Sequence, residues 1–429
     1  MSLQNAQELD RQDPLSRLRQ EFIFPEVHDS GRHEGGRHDS GRQPLYFAGH
    51  SLGLMPKKAR TYINEELDAW GEFGVEGHFE GKHPWLPYHE NITASFARLV
   101  GAKETEVVAM NTLTVNLHLM LVSFYRPTQK RYKILIENNT FPSDKYAVDS
   151  QSRYHGFDPS AAVVELKPRA GEVHVREEDL LQQIHDLGDS LSVVLLGNCN
   201  YLSGQKFDFS RTVETAHSVG AIAGFNLAHG AGNLFLELHK WNVDFAVWCS
   251  YKYLNAGPGG IAGAFVHENH LGRKDIPRFE GWWGQNKKTR FKMGPQFDPI
   301  PTVEAWQLSN PPIFQLASLR SSLELFDEAT MKGLRERGDR LTTYFENQIK
   351  SELKDQAVII TPELPARGSM LCLRFKSSPQ KWMKTMRDRG VFVDFREPDI
   401  IRATPIPLYN SFEDIYRLVQ TFKEVIHEF

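Results

Sequence analysis

Cysteine is scarce: three in 429 residues, Cys199, Cys249 and Cys372, far apart and with no Cys-x-x-Cys pair. That scarcity excludes a disulfide scaffold and a cysteine zinc site, and it predicts a reducing compartment. Charge of one sign is also missing. Fifty Lys and Arg against 54 Asp and Glu leave a formal net charge of −4, which argues against a nucleic-acid or polybasic membrane partner. No apolar run approaches the roughly 20 residues of a membrane span. The polar start MSLQNAQELDRQDP does not read as a signal peptide, so a cytoplasmic location is expected. What is present is an ordinary apolar content of 40% in a chain long enough for two or three domains.

Near the N-terminus, His28-Asp29-Ser30-Gly31-Arg32 recurs as His38-Asp39-Ser40-Gly41-Arg42, with His33 between. Gly, Ser and charge cannot bury a core, so a mobile loop is expected, with no fixed geometry for a metal. Apolar runs at 132–137, 192–197, 221–225 and 243–248 then alternate with amphipathic stretches such as 209–218. This predicts a mostly parallel sheet covered by helices. Polar residues follow each run, at the strand ends where open α/β sheets place ligands. From about residue 312 the texture changes. A long helix over 314–353, broken near 330–333, precedes strand-like pieces at 358–360, 371–375 and 391–394. A last helix over 411–429 opens with a Ser-x-x-Asp cap. The expected division is an N-terminal segment at 1–45, a large domain at 46–312, and a linking helix with a small α+β domain at 313–429.

One segment points to chemistry. Lys252 stands between Tyr251 and Tyr253, after the apolar run Phe245–Trp248 and before Gly257-Pro258-Gly259-Gly260. An amine at the end of a buried strand loses basicity and becomes a nucleophile and base able to hold an aldehyde cofactor as a Schiff base. A surface lysine in a strand-to-loop turn is the alternative.

Residues 224–269 around that lysine resemble kynureninase, a pyridoxal-phosphate enzyme of tryptophan catabolism. The resemblance recurs in Phe47-Ala48-Gly49-His50-Ser51-Leu52-Gly53-Leu54, in the block from Met110 to His118, and in Phe141-Pro142-Ser143-Asp144. It continues in Arg290-Phe291-Lys292-Met293, in Ser309-Asn310-Pro311-Pro312 and in the block from Pro405 to Phe412, in the family's order from about Tyr46 to the C-terminus. It implies the aspartate-aminotransferase-like α/β fold (fold type I), a large domain with a mostly parallel sheet plus a small C-terminal α+β domain, working as a homodimer with shared active sites. It implies pyridoxal 5'-phosphate on Lys252, with Leu113, Thr114, Tyr251 and Trp282 toward the phosphate, Trp282 from the partner subunit. Phe141 would stack on the ring, Asp144 and His229 would lie around it, and Asn226 falls at the ring-nitrogen position. Arg402 matches the clamp for the substrate's α-carboxylate. His78 and Asn310 match positions that touch the aryl ketone, and Asn310 also matches a cofactor-binding position. His78 as an exposed loop histidine and Arg402 as a structural ion pair are the alternatives.

The implied reaction is hydrolysis of the Cβ–Cγ bond of L-kynurenine or 3-hydroxy-L-kynurenine to anthranilate or 3-hydroxyanthranilate and L-alanine. Lys252 would move the Cα proton, and Tyr251 would protonate the β-carbon.

Four departures bear on this. In the family's Phe-Asp-Leu-Ala-His segment the aspartate is Asn226 here. A close ion pair at an effective dielectric near 20 is worth about 4 kcal/mol, so its loss would lower ring protonation by up to about a thousandfold. Asp144 would substitute in part, and weaker or redirected catalysis is expected. His50 replaces an asparagine, Gln285 a common histidine, and the turn from Asn198 to Gln205 is unusual, with Leu202 in place of a tyrosine. Two other readings therefore stand beside the hydrolase: a same-fold aminotransferase or lyase acting on another amino acid, and a catalytically weakened cofactor-binding relative.

Overall fold

A computed structural model describes residues 2–26 and 43–428; the expected loop at 28–42 lies outside the described residues. Seven strands form the large sheet: β1 (Val107–Ala109), β2 (Lys133–Glu137), β3 (Val163–Leu166), β4 (Leu191–Gly197), β5 (Ile222–Asn226), β6 (Phe245–Trp248) and β7 (Gly263–Val266). Their order is β1-β7-β6-β5-β4-β2-β3. Neighbours from β6 to β3 run parallel, whereas β7 is antiparallel to both β6 and β1. The connections explain the pattern. Parallel neighbours need crossovers, and helices Pro142–Tyr154, Glu177–Leu187 and Phe209–Ser218 supply three of them. No helix separates β6 from β7, so the chain turns back beside itself, and the turning loop carries Lys252.

β4, β5 and β6 are almost wholly buried, which is why they read as continuous apolar runs rather than alternating ones. β1, β3 and β7 were not legible in that way; β1 and β7 are only three and four residues long.

The C-terminal part begins with two helices, Ile313–Ala329 and Met331–Glu352, the expected long helix broken at Thr330. Thr330 alone separates them, at φ 59°, and its hydroxyl caps the second helix by accepting the Gly333 N–H at 3.2 Å. A four-stranded antiparallel sheet follows, β8 (Ala357–Ile359), β9 (Leu371–Phe375), β10 (Asp394–Arg396) and β11 (Ile400–Ala403), in the order β8-β9-β11-β10. The expected strand at 391–394 is corrected to two pieces. Val391–Phe392 pairs in parallel with Leu45–Tyr46, and β10 pairs with β11. The apolar run is thus shared between two sheets.

The last helix, Phe412–Glu428, has the expected cap: Asp414 N–H donates to Ser411 Oγ at 3.0 Å, and Ser411 N–H to Asp414 Oδ2 at 3.2 Å. Asp10, from the helix Leu3–Arg11, also accepts the N–H groups of Phe412 and Glu413 at 2.8 and 2.9 Å. A carboxylate at a helix N-terminus is favourable, and this one ties the two chain ends together. Among the described residues no helix is long and apolar enough to cross a membrane.

The β6–β7 pairing sets Gly263 opposite Trp248, and a Cβ at Gly263 would stand 2.1 Å from the indole. Gly263→Ala is therefore expected to destabilise the protein by about 1–3 kcal/mol through overpacking, read as a lower urea midpoint with an unchanged slope.

Candidate active site

The C-terminal ends of the parallel strands meet in one pocket. Glu137 ends β2, Gly197 ends β4 and Asn226 ends β5; Tyr251 and Lys252 lie just beyond β6. Two helix N-termini close one side. The helix Leu113–Phe124 contributes Leu113 and Thr114, and the helix Pro142–Tyr154 contributes Ser143 and Asp144, with Phe141 at its cap. Thr114 Oγ1 and Ser143 Oγ are 2.8 Å apart, so two hydroxyls and two helix starts converge, a setting suited to an anion.

Lys252 Nζ lies 3.3 Å from His229 Nε2 and 5.9 Å from the Phe141 ring centroid. Burial lowers the Lys252 pKa, the Arg402 and Arg396 charges lower it further, and Cys249 and Asp144 oppose them. His229 is held well below its ordinary pKa by burial and then by the Lys252 charge, which keeps the imidazole neutral beside the amine. Tyr251 is pushed above the ordinary phenol range by burial, so it stays protonated. The loop itself is pinned by the 47–54 block. Gly53 N–H donates to the Tyr251 carbonyl at 2.8 Å, and a Cβ at Gly53 would meet the Lys252 carbonyl at 2.3 Å.

Opposed to the amine are two acids. Asn226 Nδ2 donates to Asp144 Oδ2 at 2.7 Å, while Asn226 Oδ1 accepts the Ala228 N–H at 2.9 Å. Burial raises the Asp144 pKa to about 6, although the Asn226 hydrogen bond and Lys252 pull it down. Burial raises Glu137 to about 8, against the hydrogen bond from Asn200 Nδ2 at 3.2 Å. The unusual turn after β4 accounts for that contact: Asn200 Oδ1 accepts the Leu202 and Ser203 N–H groups, which aims its amide at Glu137.

Of the sequence-predicted residues, Leu113, Thr114, Phe141, Asp144, Asn226, His229, Tyr251 and Lys252 line this pocket. Arg402 is 2% exposed on β11; its Nε and Nη2 bond Asp394 Oδ1 at 3.0 and 2.9 Å, and its Nη1 the Tyr201 carbonyl at 2.9 Å. The ion-pair reading of Arg402 thus has its partner, and Tyr201 itself lines the pocket. Arg402, His78, Trp282 and Asn310 do not line it. His78 bonds the Val75 carbonyl at 3.0 Å and packs edge-on against Trp85; Trp282 Nε1 donates to the Arg290 carbonyl at 3.2 Å; Asn310 is exposed. His50 is buried, with Nδ1 2.8 Å from Thr404 Oγ1. Ser143, Cys199 and Tyr201 lie in blocks the sequence pointed to without a role of their own, and Glu137 was not singled out from sequence. Glu137 and the residues after Gly197 follow strand ends, and that position was the available signal.

A mixed seven-stranded sheet with one reversed strand, and a buried lysine in the loop before that strand, define the fold-type-I pyridoxal-phosphate class. Solved structures agree. A cystine C–S lyase in complex with its product cysteine persulfide matches with a TM-score of 0.74 at 15% identity, over 89% of this chain and 98% of that one. A cysteine desulfurase from Escherichia coli gives 0.74 at 15% over 96% and 98%. At that identity the likeness concerns the fold. Sequence comparison is narrower. The kynureninase of Myxococcus xanthus is 55% identical over 97% of this chain and 96% of its own length, and that of Koribacter versatilis 50% over 97% and 96%. The kynureninase of Nematostella vectensis is 45% identical over 98% and 93%. Residues 334–422 match the family model described as the kynureninase C-terminal domain. The chain belongs to the kynureninase family.

Glu137 offers a test of the pocket's dryness. Folded, it keeps its proton to about pH 8, against an ordinary value of 4.5. The folded state therefore binds more protons than the unfolded one between those values, so stability falls as pH rises from about 4.5 to 8. Glu137→Gln should flatten that slope and stabilise the protein by about 3 kcal/mol at pH 7, measured by urea unfolding at several pH values.

Proposed function

We propose that the protein is a pyridoxal-phosphate-dependent hydrolase of carbon–carbon bonds in ketonic substrates. It cleaves L-kynurenine or 3-hydroxy-L-kynurenine to anthranilate or 3-hydroxyanthranilate and L-alanine, within tryptophan breakdown. The observation that carries this is a buried, weakly basic Lys252 at the head of the pocket in a chain 55% identical to a kynureninase.

The pocket fits pyridoxal phosphate. Lys252 suits the aldehyde, the Thr114 and Ser143 hydroxyls at two helix starts suit the phosphate, Phe141 suits the ring face, and Asp144 Oδ1, without a partner among the described residues, suits a cationic N–H. Bound there, the cofactor supplies an electron sink that acidifies the substrate's carbons. The chain's own groups do the rest. Lys252, its basicity lowered by burial, takes the Cα proton, and the neutral His229 beside it steadies the amine without adding charge. Tyr251, held protonated, gives a proton to the β-carbon. Arg402 takes the α-carboxylate on the N–H groups that Asp394 and Tyr201 leave open.

His78, Trp282 and Asn310 act on a second copy's pocket in this reading. An exposed aromatic chain supports it: Phe79, beside His78, lies 6.4 Å from Phe291, and Phe291 lies 5.5 Å from Trp282. Such a patch favours burial against another subunit, and a homodimer is the proposed assembly. His78 and Asn310 would then choose between the two ring forms. We further propose the domain division at 46–312 and 313–429, and a cytoplasmic location, which the three unpaired thiols suit.

The test is direct. Cofactor-loaded protein mixed with L-kynurenine should release anthranilate, followed by fluorescence; absence of product from loaded protein overturns the reading. Lys252→Ala should lower the rate by at least about a thousandfold. Arg402→Lys, losing a two-point grip on a carboxylate, should raise KM about 10- to 100-fold with a smaller change in kcat.

A further inference from the structure

Asn226 and Asp144 face each other in an arrangement that divides one job between them. The Asn226 amide is oriented from both sides: its oxygen accepts the Ala228 N–H and its nitrogen donates to Asp144 Oδ2. The reversed amide would set an NH2 against an N–H and a carbonyl against a carboxylate, two repulsive contacts, so the neighbours dictate the orientation. The accepting atom of Asn226 is thereby turned to the backbone.

Asp144 keeps one oxygen, Oδ1, that is buried and has no hydrogen-bond partner among the described residues. Such an oxygen is costly unless a donor meets it, and a cationic donor meets it best. Asp144 is also the third residue of its helix, where the dipole favours a negative charge. Glu137 is the other acid lining the pocket among the described residues, and Asn200 already engages its Oε2.

We infer that Asp144 Oδ1 holds the proton of the cofactor's ring nitrogen in this chain, and that Asn226 is a positioning residue acting on that nitrogen only through Asp144. By donating to Oδ2, Asn226 makes the carboxylate a weaker base, so the proton shared between carboxylate and ring stays on the ring. The asparagine is then a division of labour rather than a lost counter-charge. An aspartate at 226 would set two carboxylates at about 2.7 Å, which could not both ionise. The inference rests on pyridoxal phosphate occupying the pocket and is independent of which substrate is cleaved.

The experiment reconstitutes the full chain with pyridoxal phosphate labelled with nitrogen-15 in the ring. It reads the ring-nitrogen chemical shift, which separates protonated from bare pyridine, across neutral pH. Wild type should be protonated, Asp144→Asn bare, and Glu137→Gln like wild type. Asn226→Ala should show the ratio of protonated to bare nitrogen lowered about tenfold or more as the proton moves to Asp144. A protonated nitrogen in Asp144→Asn overturns the assignment, as does a bare one in Glu137→Gln, and an unchanged shift in Asn226→Ala overturns the positioning role. Should Asp144→Asn not retain the cofactor, Asp144→Glu decides: protonation restored supports the inference, and a bare nitrogen overturns it. Because no turnover is needed, a protein that leaves kynurenine untouched would fail the substrate reading alone.

Discussion

Burial of the Lys252 amine, with two guanidinium charges near it and the neutral His229 within 3.3 Å, is the constraint around which the pocket is arranged. Burial lowers the basicity of an ammonium in that setting, and the amine gains reactivity that an exposed lysine lacks. Keeping it there takes several elements at once. β6 delivers it to the strand ends, the reversed β7 leads the chain away without a crossover, and Gly53 lets another backbone approach within touching distance. The lack of a Cβ at Gly53 and Gly263 thus lets the Lys252 loop and the Trp248 indole pack closely against their neighbours.

The polar side of the pocket follows the same logic. Four acids and amides, Glu137, Asp144, Asn200 and Asn226, are each less than a tenth exposed, and hydrogen bonds join them in two pairs. In each pair an amide donates to a carboxyl group, so burial is tolerated without placing a second net charge in the cavity. Acidity here is set mainly by how dry each group is, and only then by its neighbours.

Much of this was legible in the sequence. Long buried strands announce themselves as apolar runs, and the polar residues after them marked the correct edge of the sheet. The motif around Lys252 and the 47–54 block carried the family. What escaped was whatever depends on contacts remote in sequence. β1 and β7 are too short to show a period, and the run at 391–394 gave no sign that its halves serve different sheets. Glu137 looked like the polar end of a strand; its importance depends on Asn200, 63 positions away. The placing of His78 and Asn310 outside the chain's own pocket is likewise invisible to spacing, since a motif names residues and leaves open which pocket they enter; for Trp282 the resemblance already implied a partner's pocket.

Arg402 carries a last consequence. It belongs to the small sheet, with Asp394 beside it, yet it grips the Tyr201 carbonyl beyond the end of β4 in the large one. Its Nε and Nη1 donate hydrogen bonds, and its Nη2 sits in an ion pair with Asp394 at 2.9 Å. An anion that takes the N–H groups left over therefore leans on a strut anchored at both ends. Its affinity depends on the stiffness of the gap between the sheets as well as on the contacts it makes, so loosening that gap far from the pocket would weaken binding with every lining residue intact.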